Sequence, residues 1–160
     1  EKILAWAMDI ACGMQYLHSL GIIHRDLKSL NILLTHDDRC KIIDYGASRV
    51  DVDTNMTGNI GTLAWMAPEM FSGTNYNEKI DVYSFAIVLY EMVVRAIPFA
   101  GENSFGLPVQ VAKGLRPKLP KGISKKWTKI MTQCWHDKPS KRPAFGKIVD
   151  MLQALVVPTQ

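Results

Sequence analysis

Apolar residues return at alternating steps of four and three along Ile3, Ala7, Ile10, Met14 and Leu17, the spacing of one face of an amphipathic helix. Gly21 predicts its end, since glycine readily takes the left-handed conformation that often follows a last helical turn. The period then changes. "NILL" and "CKIID" are short β-like runs parted by the polar "THDDR", and together they predict a small hairpin. Between residues 46 and 64 glycine, threonine, asparagine and aspartate dominate and periodicity vanishes; loops this long in a compact domain are usually functional or disordered. "DVYSFAIVLYEMVV", from Asp81 to Val94, is apolar almost all round and predicts a buried helix. Two more helical patterns lie around "SKKWTKIMTQCW" and "FGKIVDMLQALVV", separated by "HDKPSKRPA". The result is a mainly α chain with one hairpin and no internal repeat. Its first helix begins in mid-pattern at residue 1 without a capping residue, which leads us to expect a segment of something longer.

Composition narrows the class. With 160 residues, 48% of them hydrophobic, the chain can bury one sizeable core and reads as a single globular domain. Its 19 basic and 15 acidic residues leave a net +4, spread thinly even at "KKWTK" and "KPSKR", too sparse for a nucleic-acid tract. Cys12, Cys40 and Cys134 lie far apart without metal-binding spacing, and an odd, scattered set suits a reducing compartment. No apolar run approaches the roughly 20 residues of a membrane span, and "EKILAWAMDI" lacks the basic start and cleavage site of a signal peptide. The expected location is cytoplasmic.

Candidate chemistry concentrates in "IIHRDLKSLNILL", where His24, Arg25, Asp26 and Lys28 stand between two aliphatic runs. Charges beside a core need partners or a task. Taken singly, Asp26, Asp44 and Asn31 would be turn or cap residues and Lys28 a solvated charge. Their order changes that reading: H-R-D-L-K-x-x-N, then "DYG" at Asp44, Tyr45 and Gly46, then "GTLAWMAPE", "DVYSF" and "KPSKRP". This series resembles the catalytic segment of eukaryotic protein kinases, and the resemblance runs over nearly the whole chain. It is similar in particular to the tyrosine-kinase-like group, with the leucine-rich-repeat (Roco) branch one option because tyrosine stands in "DYG" where phenylalanine is usual.

The resemblance implies a protein-kinase-like C-terminal lobe over residues 1–160, a helical bundle whose small hairpin bears the catalytic loop (24–31) and the start of the activation segment (44–69). It implies ATP and Mg²⁺ as cofactors and protein as substrate. Asp26 matches the carboxylate that orients the substrate hydroxyl and accepts its proton, Lys28 the cation that reaches the transferring phosphate, and Asn31 and Asp44 the metal ligands. Both ligands offer the hard oxygens that Mg²⁺ prefers. Leu33 resembles the aliphatic wall below the adenine. His24 and Tyr45 resemble tiers of an internal stack anchored on Asp81, which makes His24 structural. The extra hydroxyl of Tyr45, if buried, would need a partner and would bias the loop. Glu69 and Arg142 match a buried ion pair tying the end of the activation segment to the lower helices.

"DLKSLN" and the Gly61-Thr62 shelf imply serine/threonine specificity, with dual specificity left open because loop shape also sets reach. Arg25 and Arg49 would form a phosphate pocket for Thr57 first and Thr54 next, filled by an activating kinase or by self-phosphorylation. The glycine-rich loop, the strand lysine and the glutamate that kinase catalysis also needs have no match here. "GENSFGLP" has the glycine spacing of a Walker A loop but leucine and proline where lysine and a hydroxyl are required. We therefore expect the N-terminal β-rich lobe to be absent from this chain and to be its partner, and the chain alone to lack useful activity. The competing reading is a catalytically incompetent lobe or pseudokinase that serves as an interaction module.

Overall fold

The computed structural model of the protein describes residues 1–45, 60–73 and 75–156. The first element, α1 (Lys2–Ser19), buries Ala7, Ile10, Ala11, Met14 and Leu17, the face that the apolar spacing anticipates. Gly21 closes it at φ 73°, with Gly21 N donating to His18 O at 3.0 Å and Ile22 N to Leu17 O at 3.0 Å. This pair of bonds is the Schellman arrangement, which satisfies carbonyls left over at a helix end.

Strands β1 (Ile32–Leu34) and β2 (Cys40–Ile42) pair antiparallel, Ile32 opposite Ile42 and Leu34 opposite Cys40. The hairpin is fastened to α1 by Asp9. Its carboxylate takes Arg39 Nε at 2.9 Å, Arg39 Nη2 at 2.7 Å and the backbone N–H of Cys40 at 3.0 Å. Gly13 on α1 lets the two approach, since a Cβ there would stand 3.0 Å from Ile42 Cδ1.

At the centre is α2 (Lys79–Val94), in which every residue from Ile80 to Tyr90 is buried. With two short strands among the described residues, the core is built from helix faces, and a helix apolar all round is the one that others can surround. α1 packs against α2, β2 and α5 (Phe145–Gln153), and α4 (Lys125–Cys134) packs against α2. Phe85 of α2 meets Phe145 of α5 edge to face at 5.5 Å, a favoured geometry for aromatic rings. The short α3 (Leu107–Ala112) leans on a 3-10 turn at Pro68–Phe71. Cys134 is fully buried and burial pushes its thiol up to about 12, so it behaves as a small apolar side chain. No helix among the described residues is long and apolar enough to cross a membrane.

Candidate active site

The loop between α1 and β1 hangs from one carboxylate. Asp81, in the first turn of α2, is fully buried and accepts three hydrogen bonds: His18 Nε2 at 2.8 Å, the backbone N–H of His24 at 2.8 Å and that of Arg25 at 2.9 Å. Three donors around one carboxylate compensate its lost hydration. They also hold Arg25 at φ 68°, a left-handed conformation that costs a non-glycine residue about 1–3 kcal/mol and persists only where its surroundings impose it. Asp44 has φ 60°, so both ends of the candidate site carry strained backbone.

His24 is buried, its Nδ1 accepting from Asp26 N at 3.2 Å and its Nε2 meeting Ile43 O at 3.0 Å. A carbonyl only accepts, so the proton sits on Nε2 and the neutral ring bridges the catalytic loop to β2. Both ring nitrogens are thereby engaged in holding backbone.

Asp26, Lys28, Asn31 and Thr62 come together as one cluster. The Asp26 side chain is 39% exposed, and Lys28 Nζ lies 2.9 Å from its Oδ2 and 3.0 Å from Thr62 Oγ1. Asn31 Nδ2 donates to Asp26 O at 2.8 Å and to Asp26 Oδ2 at 3.2 Å, which turns the amide nitrogen toward Asp26 and leaves the amide oxygen as the acceptor. Ile43 N donates to Asn31 O at 3.0 Å, bringing the chain just before Asp44 alongside Asn31. The hairpin therefore places two oxygen donors, Asn31 and Asp44, at one edge, and Asp44 is exposed there.

The expected lower ion pair is present. Arg142 Nη1 and Nη2 donate to Glu69 Oε1 and Oε2 at 2.6 and 2.9 Å, with Arg142 only 1% exposed. Arg142 Nε also donates to His136 O at 2.8 Å, and its guanidinium lies 5.3 Å from the centre of the Tyr83 ring.

Leu33 and Tyr45 are 52% and 47% exposed. Of the two expected stack tiers, then, only His24 is buried, and a Tyr45 side chain standing half in solvent has water as a partner for its hydroxyl. Gly61 lies in the 3-10 helix Ile60–Trp65 beside Thr62. Gly46, Arg49, Thr54 and Thr57 fall outside the described residues, and with them the expected phosphate pocket.

Several contributors escaped sequence reading. His18 follows Met14 by four residues on the buried face of α1, the signal that could have marked it. Glu91 stands late in the apolar run of α2, ten residues after Asp81. Its Oε1 accepts from Ser29 Oγ at 3.0 Å and its Oε2 from Trp65 Nε1 at 2.8 Å. Ser84 Oγ donates to Trp65 O at 2.7 Å.

Comparison with known proteins bears on this arrangement directly. Residues 1–152 match the family model described as protein tyrosine and serine/threonine kinase. The chain belongs to that kinase family. A probable LIM domain-containing serine/threonine-protein kinase of Dictyostelium discoideum is 50% identical over 95% of this chain and 16% of the relative. The serine/threonine/tyrosine-protein kinase HT1 of Arabidopsis thaliana is 45% identical over 96% of the chain and 40% of its own length. Mitogen-activated protein kinase kinase kinase 7 of Bos taurus is 42% identical over 96% and 27%. This kinase chain thus spans less than half the length of each of these relatives, and its helical architecture, with one two-stranded sheet among the described residues, is that of a kinase C-terminal lobe.

Proposed function

We propose that this chain is the catalytic lobe of an active serine/threonine kinase, transferring the γ-phosphate of ATP to hydroxyl groups of proteins in cytoplasmic signalling. The single observation that carries the reading is the Asp26–Lys28–Asn31–Thr62 cluster. One half-exposed carboxylate is fixed by an amide on one side and a cation on the other, next to the residue of the expected substrate shelf.

Each residue has a task in that transfer. Asp26 accepts the proton of the substrate hydroxyl while Asn31 keeps its carboxylate from swinging away; a base must be positioned before its basicity counts. Lys28 sits between the carboxylate and the shelf, where a cation stabilises charge developing on the transferred group. Thr62 borders the acceptor site and holds Lys28 there. The donor set fits Mg²⁺: Asn31 and Asp44 present amide and carboxylate oxygens, two hard ligands of the kind that share this ion with substrate phosphates. Bound Mg-ATP supplies the transferable phosphoryl group and neutralises its oxygens. Leu33, aliphatic and half exposed at the same edge, suits one wall of the adenine site. The half-exposed Leu33 and Tyr45 are where an N-terminal lobe of the same protein would close.

Serine/threonine specificity is supported by Lys28 and its bond to Thr62, and by relatives whose names carry serine/threonine kinase. Phosphate transfer from radiolabelled ATP to a serine/threonine peptide by the complete protein, lost in Asp26→Asn, tests the proposal. Turnover retained by that variant would overturn it.

A further inference from the structure

Glu91 has no place in the roles assigned so far, yet its carboxylate joins two parts of the site that are distant in sequence. It projects from α2, half-buried, and takes one donor from the catalytic loop, Ser29 Oγ, and one from the segment that carries Thr62, Trp65 Nε1. From this geometry we infer that Glu91 is a positioning residue that holds the catalytic loop and the substrate shelf in fixed relation; the inference rests on the kinase reading above.

Two considerations lead there. First, a second link between these parts, Lys28 to Thr62, belongs to the reacting centre, where the Lys28 ammonium is shared with Asp26. A group that responds to the charge of a bound phosphate cannot also be the fixed strut. Glu91 sits behind it on α2, the most buried of the described helices, and rigid support behind a reacting group is what keeps its geometry productive. Second, the carboxylate is kept at some cost. Burial holds the Glu91 carboxyl above the ordinary carboxylate range against two hydrogen bonds that act the other way, and both of those donors are neutral. An apolar residue would avoid the cost. What an apolar residue cannot do is accept from two donors at once, and a carboxylate with one oxygen aimed at each does so.

The chemistry of the donors sets the test. The indole N–H can only donate, whereas a serine hydroxyl can turn and accept. Glutamine at this position therefore preserves both contacts, its oxygen taking Trp65 and its amide nitrogen donating to Ser29. Alanine preserves neither. The Trp65 backbone would remain held in either variant by Ser84, two helical turns before Glu91 on the same face of α2.

In the complete protein, Glu91→Ala should raise amide hydrogen exchange in both residues 24–31 and residues 62–66. It should raise KM for a peptide substrate roughly tenfold, the loss of a hydrogen bond to a charged group, with KM for ATP unchanged. Glu91→Gln should restore both to within about twofold. Ser29→Ala, which touches only the catalytic loop, should still raise exchange in residues 62–66, so the idea stays testable if the alanine variant folds poorly. Glutamine as damaging as alanine, exchange altered in only one segment, or peptide KM unchanged in Glu91→Ala would each overturn the inference. A wild-type protein that transfers no phosphate would instead sink the kinase reading, and the exchange pattern in the variants would then decide the positioning role alone.

Discussion

Two carboxylate–cation pairs divide this molecule. At the upper edge Asp26 meets Lys28 with the carboxylate 39% exposed, and beside it Arg25 and Asp44 hold left-handed backbone. In the lower half Glu69 meets Arg142 in a bidentate contact with the guanidinium buried, and His136 O and the Tyr83 ring complete its surroundings. The residue types are similar and their setting is opposite. A pair whose carboxylate reaches water while its lysine is 12% exposed contributes less to stability than a fully sealed one and remains able to exchange partners with a ligand. A pair sealed inside must have its hydrogen-bonding groups satisfied, and it then fixes the elements that hold it. Asp81 belongs with the second kind, and through His24 and Arg25 it hands the rigidity of α2 to the first.

The predictions test that division and are taken in order of expected effect on stability. Arg142→Ala leaves Glu69 in a buried site without its cation, and should lower stability by about 3–5 kcal/mol, read from urea denaturation. Changing both partners to methionine should recover much of the loss, because no uncompensated charge remains. A double variant as unstable as the single one would show that the pair acts through something other than mutual compensation.

Asp81→Asn comes next. The new amide nitrogen faces donors where the carboxylate accepted them, so one or two of its three bonds are lost, at about 1.5–3 kcal/mol for a hydrogen bond to a charged group. Release of Arg25 from its strained conformation offsets part of this loss. Turnover should fall together with stability, because the loop bearing Asp26 loses its anchor. If turnover is unchanged in a stably folded Asp81→Asn protein, the anchoring role is wrong.

Asp26→Asn should separate the two quantities. Its stability should stay within about 0.5 kcal/mol of wild type, while peptide phosphorylation is largely abolished. A large loss of stability in this variant would erase the distinction between the open and sealed pairs.

The smallest effect is expected at a third pair, Asp9 with Arg39, whose arginine is mostly exposed. The Arg39 hydrogen bonds hold the Asp9 carboxyl below its ordinary range, against the opposing effect of burial. A carboxyl depressed in the folded state stabilises above its unfolded pKa and loses that contribution as pH falls through the folded value. Asp9→Asn should therefore lower the melting temperature modestly at neutral pH, converge with wild type at low pH, and so flatten the dependence of melting temperature on pH between about 5 and 2. An unaltered acid limb would show that the hairpin clasp adds nothing measurable.

Much of the fold was legible because its periods are clean. The spacing of Ile3 to Leu17 marked the buried face of α1, and the run from Asp81 marked α2, which begins two residues earlier at Lys79. The hairpin lies where two short apolar runs flank a polar turn. By contrast α3 was missed: six residues starting beside Pro108 are too few for a helical period to emerge from neighbouring glycine and proline. The site was legible in its identities, since motif order singled out Asp26, Lys28, Asn31 and Asp44, and in the Glu69–Arg142 pair, but not in the contacts made by His18 and Glu91.

The amino-acid sequence by itself determined the residue types of the site, the helical class of the fold and the kinase resemblance, because these depend on local spacing and on the order of short motifs. Tertiary structure alone decided that Asp81 would take His18 and the backbone N–H of Arg25, and that Glu91 would take Ser29 and Trp65 together. Each of these contacts joins elements far apart in the chain. Which partner a polar side chain finds depends on which helix faces pack against each other, and no period of 2 or 3.6 along the chain contains that information.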